Sequence, residues 1–211
     1  MHVHSLAAFE DASQLIPLEG KPRYMHEGPD GEIIVSVEVS IENEETGEIS
    51  SEWHVVLVDL LGGQPVQTLL RSTFGLAGMS TLSQDYFVVT SRSSEGAIYT
   101  CPLVGPAEGE APPLITDFCT IEFVVEEDFW DPYNLILEGD ALYVTDFSDS
   151  SIRVLRISTK EDLGTLGRTG DSNLPSGLAI RPGPYPHNSP AILSSVDAVA
   201  GQAIATDIYL R

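Results

Sequence analysis

The stretch that decides the fold is residues 137–146, Leu137-Glu138-Gly139-Asp140-Ala141-Leu142-Tyr143-Val144-Thr145-Asp146. It aligns without a gap on residues 82–91, Leu82-Ser83-Gln84-Asp85-Tyr86-Phe87-Val88-Val89-Thr90-Ser91. In both copies a polar turn leads into a run of aromatic and β-branched residues, which is typical of a β-strand. A short Ser-rich turn and a second apolar run follow each copy, so the repeating unit contains at least two adjacent strands.

Two further copies extend the repeat along the chain, one at residues 30–36 and a poorer one at residues 191–195. The spacing between copies is roughly 50 residues, which is in the range of propellers and other repeat arrays. An outer-strand pattern leads into each new copy, as in a propeller blade. These patterns are residues 14–18, 66–70, 113–116 and 163–167. The alternative is a sandwich of four unrelated hairpins.

The sequence therefore predicts an all-β fold, a β-propeller-like array of about four blades in one domain spanning residues 1–211. Its expected units are residues 19–73, 74–117, 118–166 and 167–211, with residues 1–18 as a closing strand. A long hairpin is expected after Asn43, because Glu45-Thr46-Gly47-Glu48 separates two strand patterns.

Composition limits the partners. The chain has 211 residues, 32 acidic against 10 basic side chains and a formal net charge of −22. This charge argues against nucleic acid and anionic membranes, which need a basic surface. A small-molecule or protein ligand remains, and an open propeller would favour a homo-oligomer.

We see no signal peptide or transmembrane segment, so the sequence predicts a soluble, cytoplasmic protein. Cys101 and Cys119 can pair once, but two buried free thiols are the favoured interpretation.

Several segments resemble the blades of NHL-type propellers. Gly139-Asp140-Ala141-Leu142-Tyr143-Val144-Thr145-Asp146 is similar to their Gly-x-Leu-Tyr-Val-x-Asp strand, and residues 151–154 to their Arg-Ile strand. Residues 167–180 are similar to the Gly-spaced loop and Pro-x-Gly-Leu-Ala that open such blades. The resemblance is best over residues 133–181 and concerns blades, not chemistry.

A narrower resemblance is to the gluconolactonase and regucalcin (senescence marker protein) family of six-bladed, calcium-dependent propellers. Glu27-Gly28-Pro29 matches the family's Glu-Gly-Pro motif, and Asn134 stands in its Asn-Gly-Leu motif with Leu135 replacing Gly. Ser176 stands where the family has a metal-binding Asp. The resemblance implies a divalent cation, Ca²⁺ above all, held at the mouth of the channel, with Asp146 or Asp171 supplying the missing charge.

The residues themselves also favour a hard cation. We expect Glu27, Asn134 and Ser176 to lie at the beginnings of innermost strands and therefore to converge at one end of the channel. All three offer oxygen atoms of the kind that Ca²⁺ and Mg²⁺ bind. Each also has an ordinary structural interpretation: an exposed acid, a turn cap and a loop hydroxyl.

Three histidines and one acidic segment are further candidates for a chemical role. His26, beside Glu27, would serve as a general base at the channel mouth. His2 and His4 alternate along a strand pattern, but two solvated terminal side chains are the more ordinary interpretation. Residues 126–131, Glu126-Glu127-Asp128-Phe129-Trp130-Asp131, resemble no cation-binding loop and are expected to form a loop with aromatic anchors. The alternative is that this acidic and aromatic segment is a protein-contact patch.

Two functions follow. One is a divalent-cation-dependent hydrolase of the gluconolactonase type, acting on a lactone or ester. The alternative is a non-catalytic NHL-type propeller that binds a protein or small ligand. Four units are fewer than the family's six blades, so the chain is a truncated or divergent six-bladed propeller, a smaller closed propeller, or an open array that assembles.

Overall fold

A computed structural model of the chain describes residues 18–43, 46–59, 67–92, 96–107, 109–124, 130–168, 175–181, 191–197 and 203–208. In these ranges the chain is all-β, with a one-turn 3-10 helix at Pro29–Gly31 and a single α-helical turn. The elements are β1 (Lys21–Glu27), β2 (Glu32–Glu42), β3 (Ile49–Asp59), β4 (Gln67–Ser72), β5 (Leu76–Thr81), β6 (Tyr86–Ser91), β7 (Ala97–Pro102), α1 (Ile115–Phe118), β8 (Thr120–Phe123), β9 (Pro132–Glu138), β10 (Ala141–Asp146), β11 (Ser151–Arg156), β12 (Glu161–Arg168), β13 (Pro175–Arg181), β14 (Ala191–Asp197) and β15 (Ala203–Ile208).

The strands form four antiparallel sheets in which neighbours in sequence are neighbours in space. The sheets are β1–β4, β5–β8, β9–β12 and β13–β15, the last with three described strands. The four aligned sequence copies fall on β2, β6, β10 and β14, which are the second strands of their sheets. The repeat predicted from the sequence is therefore confirmed as a repeat of sheets in a propeller-like arrangement.

The first strands of the sheets lie next to one another in chain order, β1 against β5, β5 against β9 and β9 against β13. β1 and β5 run in the same direction, because His26 lies beside Ser80 and Glu27 beside Thr81. Arg92, just past the end of β6, packs on Tyr133 near the beginning of β9. We call the end at which β1, β5 and β9 begin the front end, and the opposite end the back end.

Alternation along the second strands explains how the sheets stack. Phe87 and Val89 are buried in the core between the first two sheets, whereas Val88 between them is buried in the core between the second and third sheets. Successive side chains of a strand point to opposite faces, so a strand buried on both faces is apolar at consecutive positions instead of alternating. This is why β6 and β10 are the clearest strand signals in the sequence.

Both outer faces of this stack also carry buried clusters. On the third sheet, Tyr143, Ile152 and Val154 are buried, with Leu178 of β13 packed against them. On the face of the first sheet that is turned away from the second sheet, four valines are buried with Leu18 beside them. These are Val35, Val37, Val56 and Val58.

The predicted outer strand at residues 113–116 is wrong. Leu114 forms a single parallel bridge with Arg71, and α1 follows at once. Ile115 is fully buried in the core between the first two sheets, and the preceding Pro112 and Pro113 have no N–H to give to a strand ladder. β8 is the outer strand of the second sheet instead, so residues 120–123 belong to that sheet, whereas the predicted third unit began at residue 118.

The expectation of two free thiols is also wrong. Cys101 of β7 and Cys119, which follows α1, form a disulfide with Cα atoms 4.5 Å apart. The turn of helix brings Cys119 back over β7, a proximity that a spacing of 18 residues does not reveal.

No helix in the described ranges is long and apolar enough to cross a membrane. The predicted closing strand lies almost wholly in residues 1–17, outside the described residues.

Candidate functional site

Three sheets contribute side chains to one cluster at the front end. We call it the front cluster and define it as Tyr24, Arg92, Asp131, Tyr133 and Phe147. Arg92 follows β6 and Asp131 precedes β9, and the two are joined by a two-pronged ion pair. The Arg92 Nε donates to Asp131 Oδ1 at 3.1 Å, and Nη2 donates to Oδ2 at 3.0 Å. Such a fork fixes the guanidinium plane as well as its position.

The guanidinium group of Arg92 lies over two aromatic rings. Its Cζ atom is 5.0 Å from the ring centre of Tyr133 and 5.8 Å from that of Phe147. The two rings are stacked with centroids 3.9 Å apart, and the Phe147 N–H donates to the Asp131 carbonyl at 3.0 Å. The cluster is thus bound together by cation–π, stacking and ionic contacts at once.

Tyr24 adds the first sheet to the cluster. Its ring meets Tyr133 edge-on, with centroids 5.3 Å apart. Burial raises the pKa of the Tyr24 hydroxyl, and its hydrogen bond with Tyr133 acts in the same direction. The Asp131 carboxylate raises the pKa of Arg92 through their hydrogen bonds, against the effect of burial. At neutral pH the cluster therefore presents the neutral phenol of Tyr24 beside the charged guanidinium of Arg92.

The front cluster is only partly covered. The Arg92 side chain is 43% exposed and the Asp131 side chain 35% exposed, and the three aromatic residues are half-buried. Rigid aromatic side chains and a fixed ion pair at the loops of a stacked sheet scaffold are typical of ligand-contacting surfaces. The arrangement offers apolar ring faces together with a hydrogen-bond donor and an acceptor.

Asp146, a predicted metal ligand, lies beneath this cluster at the end of β10 and is 1% exposed. Its Oδ1 accepts hydrogen bonds from the Ser148 hydroxyl at 2.6 Å, the Ser148 N–H at 2.9 Å and the Asp131 N–H at 3.2 Å. A buried carboxylate requires such partners. In this structure Asp146 therefore holds the loop on which Phe147 stands and the backbone of Asp131.

The other predicted metal ligands lie at different levels of the first strands. Asn134 is near the front of β9, beside Gly78 of β5, and its Oδ1 accepts from the Leu135 N–H at 2.8 Å. Glu27 is the last residue of β1, and its carbonyl accepts from the Thr81 hydroxyl at 2.7 Å. Thr81 is three residues beyond Gly78 on β5, which corresponds to about 10 Å along a strand.

The backbones of Glu27 and Asn134 are therefore offset along the first strands. Ser176 is the second residue of β13, and its side chain lies outside the described part of the structure, as does Asp171. Among the residues that the structure describes, no three His, Cys, Asp or Glu side chains form a group that could hold a metal ion. The calcium site stays a prediction.

His26, the predicted general base, is half-buried on β1 and faces β5. Its Nε2 lies 3.4 Å from the hydroxyl oxygen of Ser80, which is 3% exposed. Burial lowers the pKa of His26 below its ordinary value of 6.5, and the neighbouring Glu27 carboxylate opposes this only in part. The imidazole is therefore neutral at pH 7.

His2 and His4 lie outside the described residues, and of residues 126–131 only Trp130 and Asp131 lie within them.

Sequence reasoning considered Asp131 only as part of residues 126–131 and did not single out the other four residues of the front cluster. Tyr133 and Asp131 flank the Asn134 position that it did examine, and Phe147 directly follows Asp146. The available signal was that charged and aromatic residues stand just outside the strand runs, at positions that face one end of the stack. Tyr24 and Arg92 come from other sheets, and nothing in their spacing indicates the contact.

No protein-family model and no curated protein matches the chain. Among solved structures it is similar to the computationally designed Ika4 protein, with a TM-score of 0.50 and 13% identity over 93% of this chain and 99% of that chain. The designed Ika8 protein has a TM-score of 0.43 at 11% identity, covering 92% of this chain and 65% of that one. A nidogen/laminin complex has a TM-score of 0.33 at 9% identity, covering 68% and 79%. At 13% identity the likeness to Ika4 concerns the fold alone.

Proposed function

We propose that the chain is a non-catalytic, propeller-type binding domain whose front cluster holds a small ligand. The observation that carries the proposal is the Arg92–Asp131 fork lying over the stacked rings of Tyr133 and Phe147. Side chains from three sheets are fixed there by one another, so little conformational entropy is lost when a ligand binds.

The ligand that best suits this surface is neutral, with one apolar face and several hydroxyl groups, and a pyranose sugar is the simplest example. A net charge of −22 disfavours anions, and Arg92 at the site disfavours cations. The face of the Phe147 ring that is turned away from Tyr133 suits an apolar ligand face. The exposed parts of Arg92 and Asp131 supply a donor and an acceptor for hydroxyl groups.

The finer fold is part of the same proposal: the four sheets are blades of a closed, four-bladed ring related to NHL-type propellers. Burial of Val35, Val37, Val56 and Val58 on the face of the first sheet turned away from the second supports closure, because an open array would leave such a face in water. The blade-level sequence resemblance at residues 139–146 supports the relationship.

The proposal is tested by ligand-observed saturation-transfer NMR and calorimetry with glucose, galactose, cellobiose and glucono-δ-lactone. Phe147→Leu keeps an apolar side chain but removes the stacked ring. We expect it to weaken binding about tenfold, equivalent to ~1.4 kcal/mol, which aromatic contacts can supply. Tyr86→Leu, at the back end where Tyr86 is 46% exposed, is the matched control and should bind as the wild type does. Absence of binding to every sugar, or equal binding by the two variants, would refute the proposal.

A cation-dependent hydrolase of lactones or esters is the second candidate. The observation that favours it is His26, whose neutral imidazole lies against the Ser80 hydroxyl on adjacent first strands. Turnover of glucono-δ-lactone that is lost in His26→Gln, with a melting temperature that Ca²⁺ raises in the wild type but not in Glu27→Gln, would support it. Binding of the lactone without turnover would leave the first proposal standing alone.

A further inference from the structure

The hairpin of β2 and β3 extends beyond the strands on either side of it. β1 pairs with β2 only as far as Glu38, and β4 pairs with β3 only from Trp53 onward. β2 and β3 nevertheless continue to pair as far as Glu42 and Ile49. We call residues 39–52 the arm. In the described part of the chain, no strand pairs with either outer edge of the arm.

The flanking chain turns away from the arm on both sides for local reasons. Gly20 precedes β1 with a φ of +123°, and a Cβ there would lie 2.5 Å from the Glu38 carbonyl oxygen. Only glycine accommodates both the angle and the approach. On the other side, Ser72 ends β4 and exchanges two hydrogen bonds with Phe74, at 2.9 and 3.2 Å. The arm therefore projects from the front end as a two-stranded ribbon.

The outward backbone groups of the arm can be assigned from its pairing. The Asn43 N–H donates to the Glu48 carbonyl at 2.9 Å, so these residues face each other across the hairpin. Because antiparallel pairs alternate, Ser40 and Glu42 turn their N–H and C=O groups to the outer edge of β2. Ser51 and Ile49 do so on the outer edge of β3. Each edge thus offers two residues to a further strand.

The side chains of the arm indicate which strand would pair. Residues 39–52 contain five glutamates and no Lys, Arg or His. Glu52 already pairs with Arg71 and His54, so Glu42 and Glu48 are the exposed glutamates that the structure describes on the arm. Ile41 is 42% exposed on one face, and Ile49 is 73% exposed on the other. A second copy of the chain is disfavoured, because it would bring a charge of −22 and the same glutamates to the edge.

We propose that the arm binds an extended, basic segment of a partner protein by strand addition. A two-stranded ribbon is marginally stable alone, and a third strand would satisfy its outer backbone groups. Lysine or arginine side chains of that strand would face the glutamates of the arm, and apolar side chains between them would cover Ile41 or Ile49. The arm and the front cluster share no residue, so this proposal does not rest on the sugar site.

The test uses the full chain and a blocked peptide of four Lys-Val repeats, with binding measured by calorimetry at low and at physiological salt. We expect binding that weakens as salt rises. A blocked peptide of four Lys-Pro repeats has the same charge but lacks half of the backbone donors, and it should bind at least about tenfold more weakly. Equal binding of the two peptides, or no binding of the Lys-Val peptide, would overturn the proposal.

The matched variants are Ser40→Pro/Ser51→Pro and Ser40→Ala/Ser51→Ala. Proline removes the outward N–H on each edge without breaking the β2–β3 ladder, whereas alanine keeps it. We expect the proline variant to lose Lys-Val binding and the alanine variant to retain it, with unchanged melting temperatures showing that both are folded. The proposal would be contradicted if the proline variant still bound the Lys-Val peptide. It would also be contradicted if the wild type sedimented as a dimer and the proline variant as a monomer, because the arm would then bind a second copy of the chain.

Discussion

Gly78→Ala should destabilise the protein by opening the contact between β5 and β9. A Cβ at Gly78 would lie 2.5 Å from the Leu135 nitrogen, 2.6 Å from the Asn134 Cα and 2.8 Å from the Asn134 Oδ1. Two of these three atoms belong to the backbone of β9 and cannot rotate away. Relief to ordinary contact distance requires β9 to move by nearly 1 Å, and overpacking of this kind costs about 2–3 kcal/mol. In a domain of this size that is a fall of about 4–12 °C in melting temperature.

Gly75→Ala is the matched control. A Cβ at Gly75 would meet only side-chain atoms, of Arg92 at 3.5 Å and of Trp53 at 3.7 Å and beyond. The same change of residue a few positions away should therefore be neutral, or stabilise by up to about 1 kcal/mol through the unfolded state. Urea unfolding of both variants measures the difference. Equal stability of the two would refute the close approach of the first strands, on which the propeller-like stacking depends.

Three further outcomes are expected. Replacing both Cys101 and Cys119 by alanine frees a loop of 18 residues and should lower the free energy of unfolding by about 3 kcal/mol. The melting temperature should fall by about 6–12 °C. A wild-type melting temperature that reducing agent leaves unchanged would contradict this. The folded-state pKa of His26 is below 6.5, so its contribution to stability is complete above that pH and is lost as pH falls through the folded-state pKa. Melting temperature should therefore fall less on acidification in His26→Gln than in the wild type, and identical pH profiles would count against a buried neutral imidazole. Asp146→Ala leaves the Asp131 and Ser148 N–H groups without their acceptor and should cost about 1–3 kcal/mol in urea unfolding. Asp140→Ala, which removes similar bonds to Ser158 at an exposed position, should cost less.

The repeat of sheets was predictable because the second strands are buried on both faces. Val88 and its neighbours Phe87 and Val89 are then apolar at consecutive positions, which produces runs that align from sheet to sheet. β1 is the opposite case: it reads Lys-Pro-Arg-Tyr-Met-His-Glu, and most of its side chains are exposed. Without an apolar pattern its role as a first strand was not recognised, so Glu27 was expected at the beginning of an innermost strand and lies at the end of one.

The front cluster could not be predicted for a different reason. Arg92, Asp131 and Tyr24 belong to three segments that the stacking of sheets brings together, and no local pattern records that stacking. The disulfide was missed similarly, since α1 returns Cys119 to β7 across a segment that had been expected to be a strand. What sequence reasoning did find at the front end was Asp146, the buried carboxylate that holds the cluster's loop.

The most direct test of the proposed function is chemical-shift mapping on the ¹⁵N-labelled chain with the strongest-binding sugar of the panel. The account predicts that the largest shifts fall on the amides of residues 91, 92, 131, 133, 134 and 146–148, and that reaching them in Phe147→Leu takes about tenfold more sugar. Shifts centred on His26 and Ser80 instead, or on no common surface, would contradict a ligand site at the front cluster.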